Sequence, residues 1–572
     1  MFKKNKRHLQ IPLTSHVDEL PEKLRKRLKY SWAGTFYQEV FCHLDETPFA
    51  VLYADIPSRP NVPVNVLVGL EYFKAENDWT DEEMYDYFSY DVQVRYALGY
   101  RQLGEGDYSL RAQYYFRERL SRYMQEEGIN LLEKAFEQVT DEQIKKHRVK
   151  TGKQRTDSTQ VASNIRMTGR VQLLVEVLQR VHRILSEAEK EHYAEDYAPY
   201  LKGHAGQFVH RMKKKEIGSH LGQIGSLMQR LLVELKQVHG EEPVYQVLER
   251  VFGEHFEVEK SEVMAKSNEE LNATSLQSPD DLEATYRKKR GKSYRGYVTS
   301  VTETCDPKNK LQLITKVQTA PNNTDDSQLL AEALPNLKER TDLNTLFTDG
   351  SYASPETDEL LQKLGVKQIQ TAIRGRNPDP NKLHLSDFEI RMNEEGKPVE
   401  IICPHGQMVS VQNSKRNKAF VAHFSAEVCA SCPLAGKCPA KQGKRDQRYH
   451  LRITKKQALV AIRRKCSLEF LEEGRNLRAS VEATMRSVKN PFPAGKLPVR
   501  GRFRVSCMMI GSAAMANVRR IQRYVESKKE QEKEGKNPQD LSVYSFFYVG
   551  KVIRSFFNRS MKPLFFCRFV RC

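Results

Sequence analysis

Leu343-Asn-Thr-Leu-Phe-Thr-Asp349-Gly-Ser-Tyr352-Ala-Ser-Pro355 reads as a strand that delivers an acid into a turn and then a helix. Leu343 to Phe347 has the apolar, β-favouring character of a strand. Gly350 leaves room for a close approach beside Asp349. Pro355 suits a helix start, where its missing N–H is not needed. Val366 to Thr371 gives the next strand. Upstream, Tyr294–Val301 and Leu311–Val317 predict a β-hairpin, and Asp325 opens a helix ending near Arg340. A β-favouring stretch at Asp157–Val161 precedes them all. The order is strand, strand, strand, helix, strand, helix, strand. That order predicts a mixed α/β layer.

Two long segments interrupt this layer. Val171, Leu174, Leu178, Val181 and Leu185 recur at helical spacing, as do Leu221, Ile224, Met228, Leu231 and Leu235. Residues 165–289 are therefore expected to form an all-helical insertion, its stripes serving as packing seams. Residues 374–452, rich in Pro, Gly, Asn and Cys, form a second insertion. The core is expected to be assembled from 146–164, 290–373 and 453–526. Its last part holds helices at Lys455–Glu473 and Arg475–Lys489 and a closing helix at Gly511–Glu526. Residues 49–145 read as helical. Val64, Leu67, Leu70 and Phe73 share a face, Thr80 and Glu83 form a capping box, and another helix runs from Ser109 through Arg119. Short helices joined by tight turns are compatible with a helix-turn-helix DNA reader or with a plain packing domain. Residues 1–48 read as a basic arm and linker. Residues 527–572 form a basic tail whose Lys528–Lys536 run is solvated charge and reads as a linker.

The chain has 572 residues, 92 Lys plus Arg against 73 acids, and a formal charge of +19. That excess favours a polyanionic partner, since neutralising phosphates releases counterions. No apolar run approaches the roughly 20 residues that cross a bilayer; Leu541–Phe557 is broken by Lys551 and Arg554. Met-Phe-Lys-Lys-Asn-Lys-Arg7 lacks the apolar segment of a secretory signal. A cytoplasmic location with no membrane partner is expected, and reduced cysteines with it unless they hold metal.

Three acids stand out. Asp157 lies in Thr-Asp-Ser-Thr-Gln-Val161, Asp349 in the opening stretch, and Glu482 in Arg478-Ala-Ser-Val-Glu-Ala-Thr-Met-Arg486-Ser-Val-Lys489. On a helix, Arg478, Glu482 and Lys489 share one face. Alone, each has a simpler reading: a turn or cap residue for either aspartate, an i,i+4 ion pair for the glutamate. Together, two strand-borne acids and one on a helix suggest a site for two magnesium or manganese ions acting on a phosphodiester. Asp157 would bridge the ions, and Asp349 and Glu482 would hold one each. Arg478, Arg486 and Lys489 would grip DNA phosphates.

Cys403, Cys429, Cys432 and Cys438 have spacings suited to a structural, tetrahedral zinc site. His405 or His423 could replace one of them. The surrounding Pro, Gly and Lys suit a small knuckle without its own apolar core. The other six cysteines show no grouping. Lys441–Lys465 has ten Lys or Arg and one acid, Asp446; Arg486–Arg504 has six and none. Such runs beside a phosphodiester site would position DNA without reading sequence. Phe492, Phe503 and Tyr449 could stack on unpaired bases or pack in a core.

Three blocks carry a family resemblance: Thr156-Asp-Ser-Thr-Gln-Val-Ala-Ser-Asn164, Thr348-Asp-Gly-Ser-Tyr352, and Arg478-x3-Glu482-x6-Lys489. Over about residues 55–520 the chain resembles the DDE transposases of bacterial insertion sequences, whose catalytic domain is ribonuclease H-like. Lys316–Ala320, Asp325–Leu330 and Pro57–Pro63 resemble the same family. Its signature places a tyrosine where this chain has Arg475. The resemblance implies an enzyme that cuts element ends and joins the freed 3′-hydroxyls to target DNA. It also implies a homo-oligomer on paired ends of double-stranded DNA, a nucleoid-associated setting, and Asp157, Asp349 and Glu482 as catalytic residues. Two rivals share these features: a catalytically decayed repressor of the element and a metal-dependent nuclease that never joins what it cuts.

Overall fold

The computed structural model describes residues 1–534, apart from 11–14, 55–59, 103, 107, 214–215, 260–261, 290, 372–378, 394, 415–418, 445, 473–476 and 479. It divides into two units, Met1–Arg520 and Ile521–Cys572.

The expected mixed layer is present in the first unit. Strand β1 (Lys153–Val161) leads into an excursion that ends in the hairpin β2 (Phe256–Glu259) and β3 (Glu262–Ala265). The layer resumes with β4 (Thr285–Lys289), β5 (Lys292–Thr304), β6 (Ile314–Pro321), β7 (Thr345–Thr348) and β8 (Lys367–Gln370). The order across the sheet is β4-β5-β1-β7-β8, and β6 also pairs with β5. β4, β5, β6 and β1 pair antiparallel, whereas β1–β7 and β7–β8 are parallel. β5 is the spine: from Gly296 to Thr304 every residue is buried. A strand covered on both faces tolerates such a continuous run of Tyr, Val and Thr.

Helices cover the sheet. Leu131–His147 and Asp326–Arg340 pack on β6, Lys455–Glu472 on β8, and Val481–Lys489 on β1. Asp326–Arg340 and Pro355–Lys363 start where Asp325 and Pro355 predict.

The N-terminal region is helical and more extensive than expected. Residues 1–48 are not merely an arm: they carry helices at Glu22–Lys29 and Trp32–Phe36. Phe36, Val40, Phe41 and Leu44 are buried in one cluster with Leu67, Leu70 and Phe73 of the Val64–Asn77 helix. The local excess of charge masks a helical spacing in Trp32, Phe36 and Val40. The capping box forms as read: Thr80 Oγ1 accepts from the Glu83 N–H at 3.1 Å, and the Thr80 N–H donates to Glu83 Oε2 at 2.8 Å. The third predicted helix spans Leu110–Glu127. Pro57, Ser58 and Arg59 lie outside the described residues.

The first insertion has its own apolar core, built from both predicted stripes (Leu174, Leu178, Ile224, Met228 and Leu231 among them). It is not all-helical. Phe256-Glu-Val-Glu259 alternates with a period of two and forms the hairpin β2–β3.

The second insertion corrects the knuckle reading. Strands β9 (Glu389–Met392), β10 (Pro398–Ile402), β11 (Met408–Asn413), β12 (Ala419–Phe424), β13 (Lys441–Gln442) and β14 (Tyr449–Thr454) form an antiparallel sheet in the order β13-β14-β12-β11-β10-β9. Phe388, Ile401, Ala422, Phe424, Leu451 and Ile453 give it an apolar core. Alternate positions of β12 and β14 face inward, as a half-buried strand requires.

The closing helix is longer than predicted, Arg502–Glu534. Lys528 to Glu534 is thus helix and not linker, and residues 535–572 lie outside the described residues.

Candidate active site

Register brings two of the acids together. The parallel pairing of β1 with β7 matches Lys153 to Thr345, Gln154 to Leu346 and Arg155 to Phe347. Two residues further along the same register, Asp157 stands beside Asp349. Asp157 is therefore a mid-strand residue, and not the turn or cap residue of its simpler reading. β7 has stopped by then, and Asp349 serves as the N-cap of a short turn, Gly350–Tyr352. Its Oδ1 accepts from the Ser351 N–H at 2.7 Å, and the Ser351 hydroxyl donates to the same oxygen. The Ser158 N–H donates to Asp157 Oδ1 at 2.9 Å. Each carboxylate thus has one oxygen tied down and the other directed at the space between them.

Arg478 enters that space. Its Nη2 lies 2.8 Å from Asp157 Oδ2 and 3.9 Å from Asp349 Oδ2. The predicted shared helical face is not kept. The helix begins at Val481, and Arg478 belongs to the turn before it. Arg475 lies outside the described residues. Asp157 binds its proton more tightly than an ordinary aspartate. Burial is the main cause, the Arg478 guanidinium opposes it, and the neighbouring Asp349 charge adds to it.

Glu482 sits in the first turn of the Val481–Lys489 helix with its side chain exposed. The helix packs on β1. Glu482 does not close into a tight cluster with the two aspartates: among the described residues the one trio of ligand-type atoms within 4.8 Å of one another lies elsewhere. Lys489 reaches β1 directly. Its Nζ donates to Gln160 O at 2.9 Å and Thr159 Oγ1 at 3.2 Å, and burial lowers its proton affinity. Arg486 is exposed on the same helix.

The residues that hold this helix in place escaped the sequence reading. Glu303 of β5 is fully buried, at 0% exposure. Its Oε1 takes Arg155 Nε at 2.7 Å, and its Oε2 takes both Thr484 Oγ1 and Arg520 Nη1 at 2.7 Å. Arg155 Nη1 also donates to Leu477 O at 2.6 Å, which ties the Arg478 turn to the strand carrying Asp157. One buried carboxylate therefore clamps β1, β5 and the Glu482 helix. An acid inside a run of Thr, Val and Ser was the available signal.

The cysteines gather in the second sheet. Cys403, His405, Cys429, Cys432, Cys438 and Tyr449 line one narrow apolar cleft. The Gln407 N–H donates to Cys403 Sγ at 3.3 Å. Burial first, and then the neighbouring thiols, push Cys429 and Cys438 upward. His423 faces His450 instead of this cleft. Tyr449 lines the cleft, Phe492 is buried, and Phe503 packs against the main core, so none of the three is presented as a free stacking platform.

Residues 402–522 match a family model described as a transposase DDE domain. This part of the chain is similar to the DDE domain of transposases. The matched stretch takes in Arg478, Glu482 and Lys489 and all four clustered cysteines, while Asp157 and Asp349 lie upstream of it. No curated protein and no solved structure matches the chain. A domain of this kind implies DNA as the substrate. Among the described residues no helix is long and apolar enough to cross a membrane.

Proposed function

We propose that this transposase cleaves the ends of an insertion sequence and joins them to target DNA at a site formed by Asp157, Asp349 and Glu482. The observation that carries the reading is the register of β1 and β7, which sets Asp157 beside Asp349 under the helix that bears Glu482. The antiparallel β1, β5 and β6, continued by β7 and β8 parallel to β1, support a ribonuclease H-like core.

The residues fit a divalent cation. Two carboxylates share a partly buried space that already draws in a guanidinium. Asp157 and Asp349 would hold magnesium or manganese there, with Glu482 contributing from the adjacent helix. The ions would activate the attacking oxygen and neutralise the leaving one. Arg478, Arg486 and Lys489 would bind phosphates, and Lys489, fixed to β1, would set their distance from the acids. The basic runs flanking the helix would carry the duplex. The N-terminal helices would read element ends, and two copies would pair them in a nucleoid setting.

The four cysteines fit a structural zinc. All four line one apolar cleft, although no three of their sulfurs lie within 4.8 Å of one another, so the thiols would close in on the ion. Burial first, and then repulsion between neighbouring thiolates, holds the protons on Cys429 and Cys438, and a dication would reverse that effect. Four protein ligands would leave no open position, so this ion would hold the sheet and take no part in chemistry.

The test uses purified full-length protein, labelled element-end DNA and magnesium or manganese. Wild type should nick the ends and form joined products. Asp157→Ala, Asp349→Ala and Glu482→Ala should bind the DNA and do neither. Cleavage retained by any one variant removes that residue from the site. Cleavage without joining in wild type would leave a nuclease, and binding alone would leave a repressor.

A further inference from the structure

The strand pair β12–β14 has a second face. In register, His423 stands across from His450, and Phe424 across from Tyr449. Successive side chains alternate. Phe424 and Tyr449 turn into the cysteine cleft, so His423 and His450 turn away from it. On that far side the two imidazoles meet, with Nδ1 atoms 2.7 Å apart and ring planes at 87°. His450 Nε2 lies 2.8 Å from Asp446 Oδ1. One ligand atom from each of the three residues lies within 4.8 Å of the others, and among the described residues no other trio of His, Cys, Asp or Glu meets that condition.

Two features set this trio apart from a chance surface cluster. Asp446 is the one acid in Lys441–Lys465, amid ten Lys and Arg, yet its carboxylate is directed at an imidazole. Gly443 lies beside it, where a Cβ would collide with Asp446 Oδ1 and His450 Nε2. Glycine thus keeps the space in front of both ligand atoms clear. The turn is set by its own backbone: the Gly443 N–H donates to Arg448 O at 2.8 Å, and Lys441 pairs with His450.

We propose that His423, His450 and Asp446 bind a first-row transition ion, zinc foremost, at a site separate from the cysteines. Two imidazole nitrogens and one carboxylate select zinc, cobalt, nickel or copper over magnesium, which takes oxygen ligands. Bonds of about 2.0–2.2 Å place tetrahedral donors roughly 3.3 Å apart, inside the span this trio already covers. On loading, His450 would bind through Nε2 and keep its proton on Nδ1, and His423 would bind through one ring nitrogen and keep its proton on the other, so two neutral imidazoles donate lone pairs and neither loses its N–H. Three protein donors leave the fourth position to water. The ion ties the basic turn that carries Lys444 and Arg448 to β12, so the strand pair is stapled on the face opposite the cysteines.

Full-length protein, stripped by chelator and titrated with cobalt(II) and then zinc(II), tests this by elemental analysis and absorption. Wild type should hold one ion more than His450→Gln or His423→Gln. The cobalt–thiolate charge-transfer band, which reports the cysteines alone, should be unchanged in both variants. Both histidines face away from the sheet's apolar core, and Gly443→Ala adds a variant that replaces no ligand but sets a methyl group against Asp446 and His450. It should weaken the extra ion about tenfold or more, as altered ligand surroundings do. Cys432→Ser should lose the thiolate band and keep the extra ion. Equal metal content in wild type and both histidine variants would overturn the site. A wild type lacking the thiolate band but holding one histidine-dependent ion would sink the cysteine reading and support this one.

Discussion

The central sheet and the helical insertion, adjacent in sequence, are held together by opposite means. The insertion's core is mainly apolar: Leu174, Leu178, Ile224, Met228, Leu231, Leu248 and Val251 are buried against one another, with His255 a buried exception. The sheet and the helices on it bury ions. Glu303 takes Arg155 and Arg520. Lys316 Nζ lies 2.7 Å from Glu133 and 2.5 Å from Glu137, and Arg340 lies 2.7 Å from Asp141. Buried ion pairs add little net stability, because desolvation offsets attraction, but they are costly to break and strict in geometry. Apolar packing tolerates small shifts. The contrast teaches that orientation is fixed around the acids, while the insertion needs only to stay folded.

Four experiments probe this contrast, in order of expected effect. Asp157→Ala or Asp349→Ala should cut strand cleavage by roughly a thousand-fold, the equivalent of about 4 kcal/mol, with the melting temperature close to wild type. A large stability loss instead would mean that these acids belong to the structural lattice. Glu303→Ala should destabilise the chain by about 3–5 kcal/mol, because Arg155 and Arg520 stay buried without it. Denaturant unfolding reads this directly, and a neutral result would erase the distinction between the regions. Met228→Ala should cost about 3 kcal/mol through a cavity in the insertion while leaving cleavage at low temperature near wild type. Parallel loss of activity would show that the insertion also positions the site.

The smallest effect is a pH dependence. His255 is 3% exposed, and burial first, then the nearby Arg170 and Lys266 charges, lower its pKa to about 4. The unfolded chain titrates near 6.5 and so takes up a proton first as pH falls. Stability from this residue is complete above about pH 6.5 and declines toward pH 4. Between pH 6.5 and 5 the loss should be about 1.6 kcal/mol. Between the two values wild type should lose more thermal stability than His255→Leu; parallel curves would mean that His255 titrates normally.

The same contrast explains what was legible in the sequence. Periodic apolar positions announce themselves locally, so Val171–Leu185 and Leu221–Leu235 were readable as buried helix faces. The order of strands and helices from Asp157 to Thr371 was readable for the same reason, as were the Thr80–Glu83 cap and Asp349 in its turn. Ion pairs between distant segments leave no periodic trace. Glu303, Arg155 and Arg520 looked like ordinary charges until the fold brought them together. The Arg478–Glu482 spacing suggested one helix face, yet the guanidinium lies in the preceding turn, beside two carboxylates more than a hundred residues upstream. The second sheet was misjudged because its Pro, Gly and Cys content hid the alternation in Ala419–Phe424 and Tyr449–Thr454. The helices of residues 1–48 were hidden by surrounding charge.

The shared register of β1 and β7 also says where this gene can change length. Between β1 and β5 the chain accommodates an entire folded excursion, because both strands resume their pairing afterwards. Inside Lys153–Asp157 no such freedom exists. Deleting one codon there would turn Asp157 to the opposite side of the sheet from Asp349, whatever the rest of the protein did.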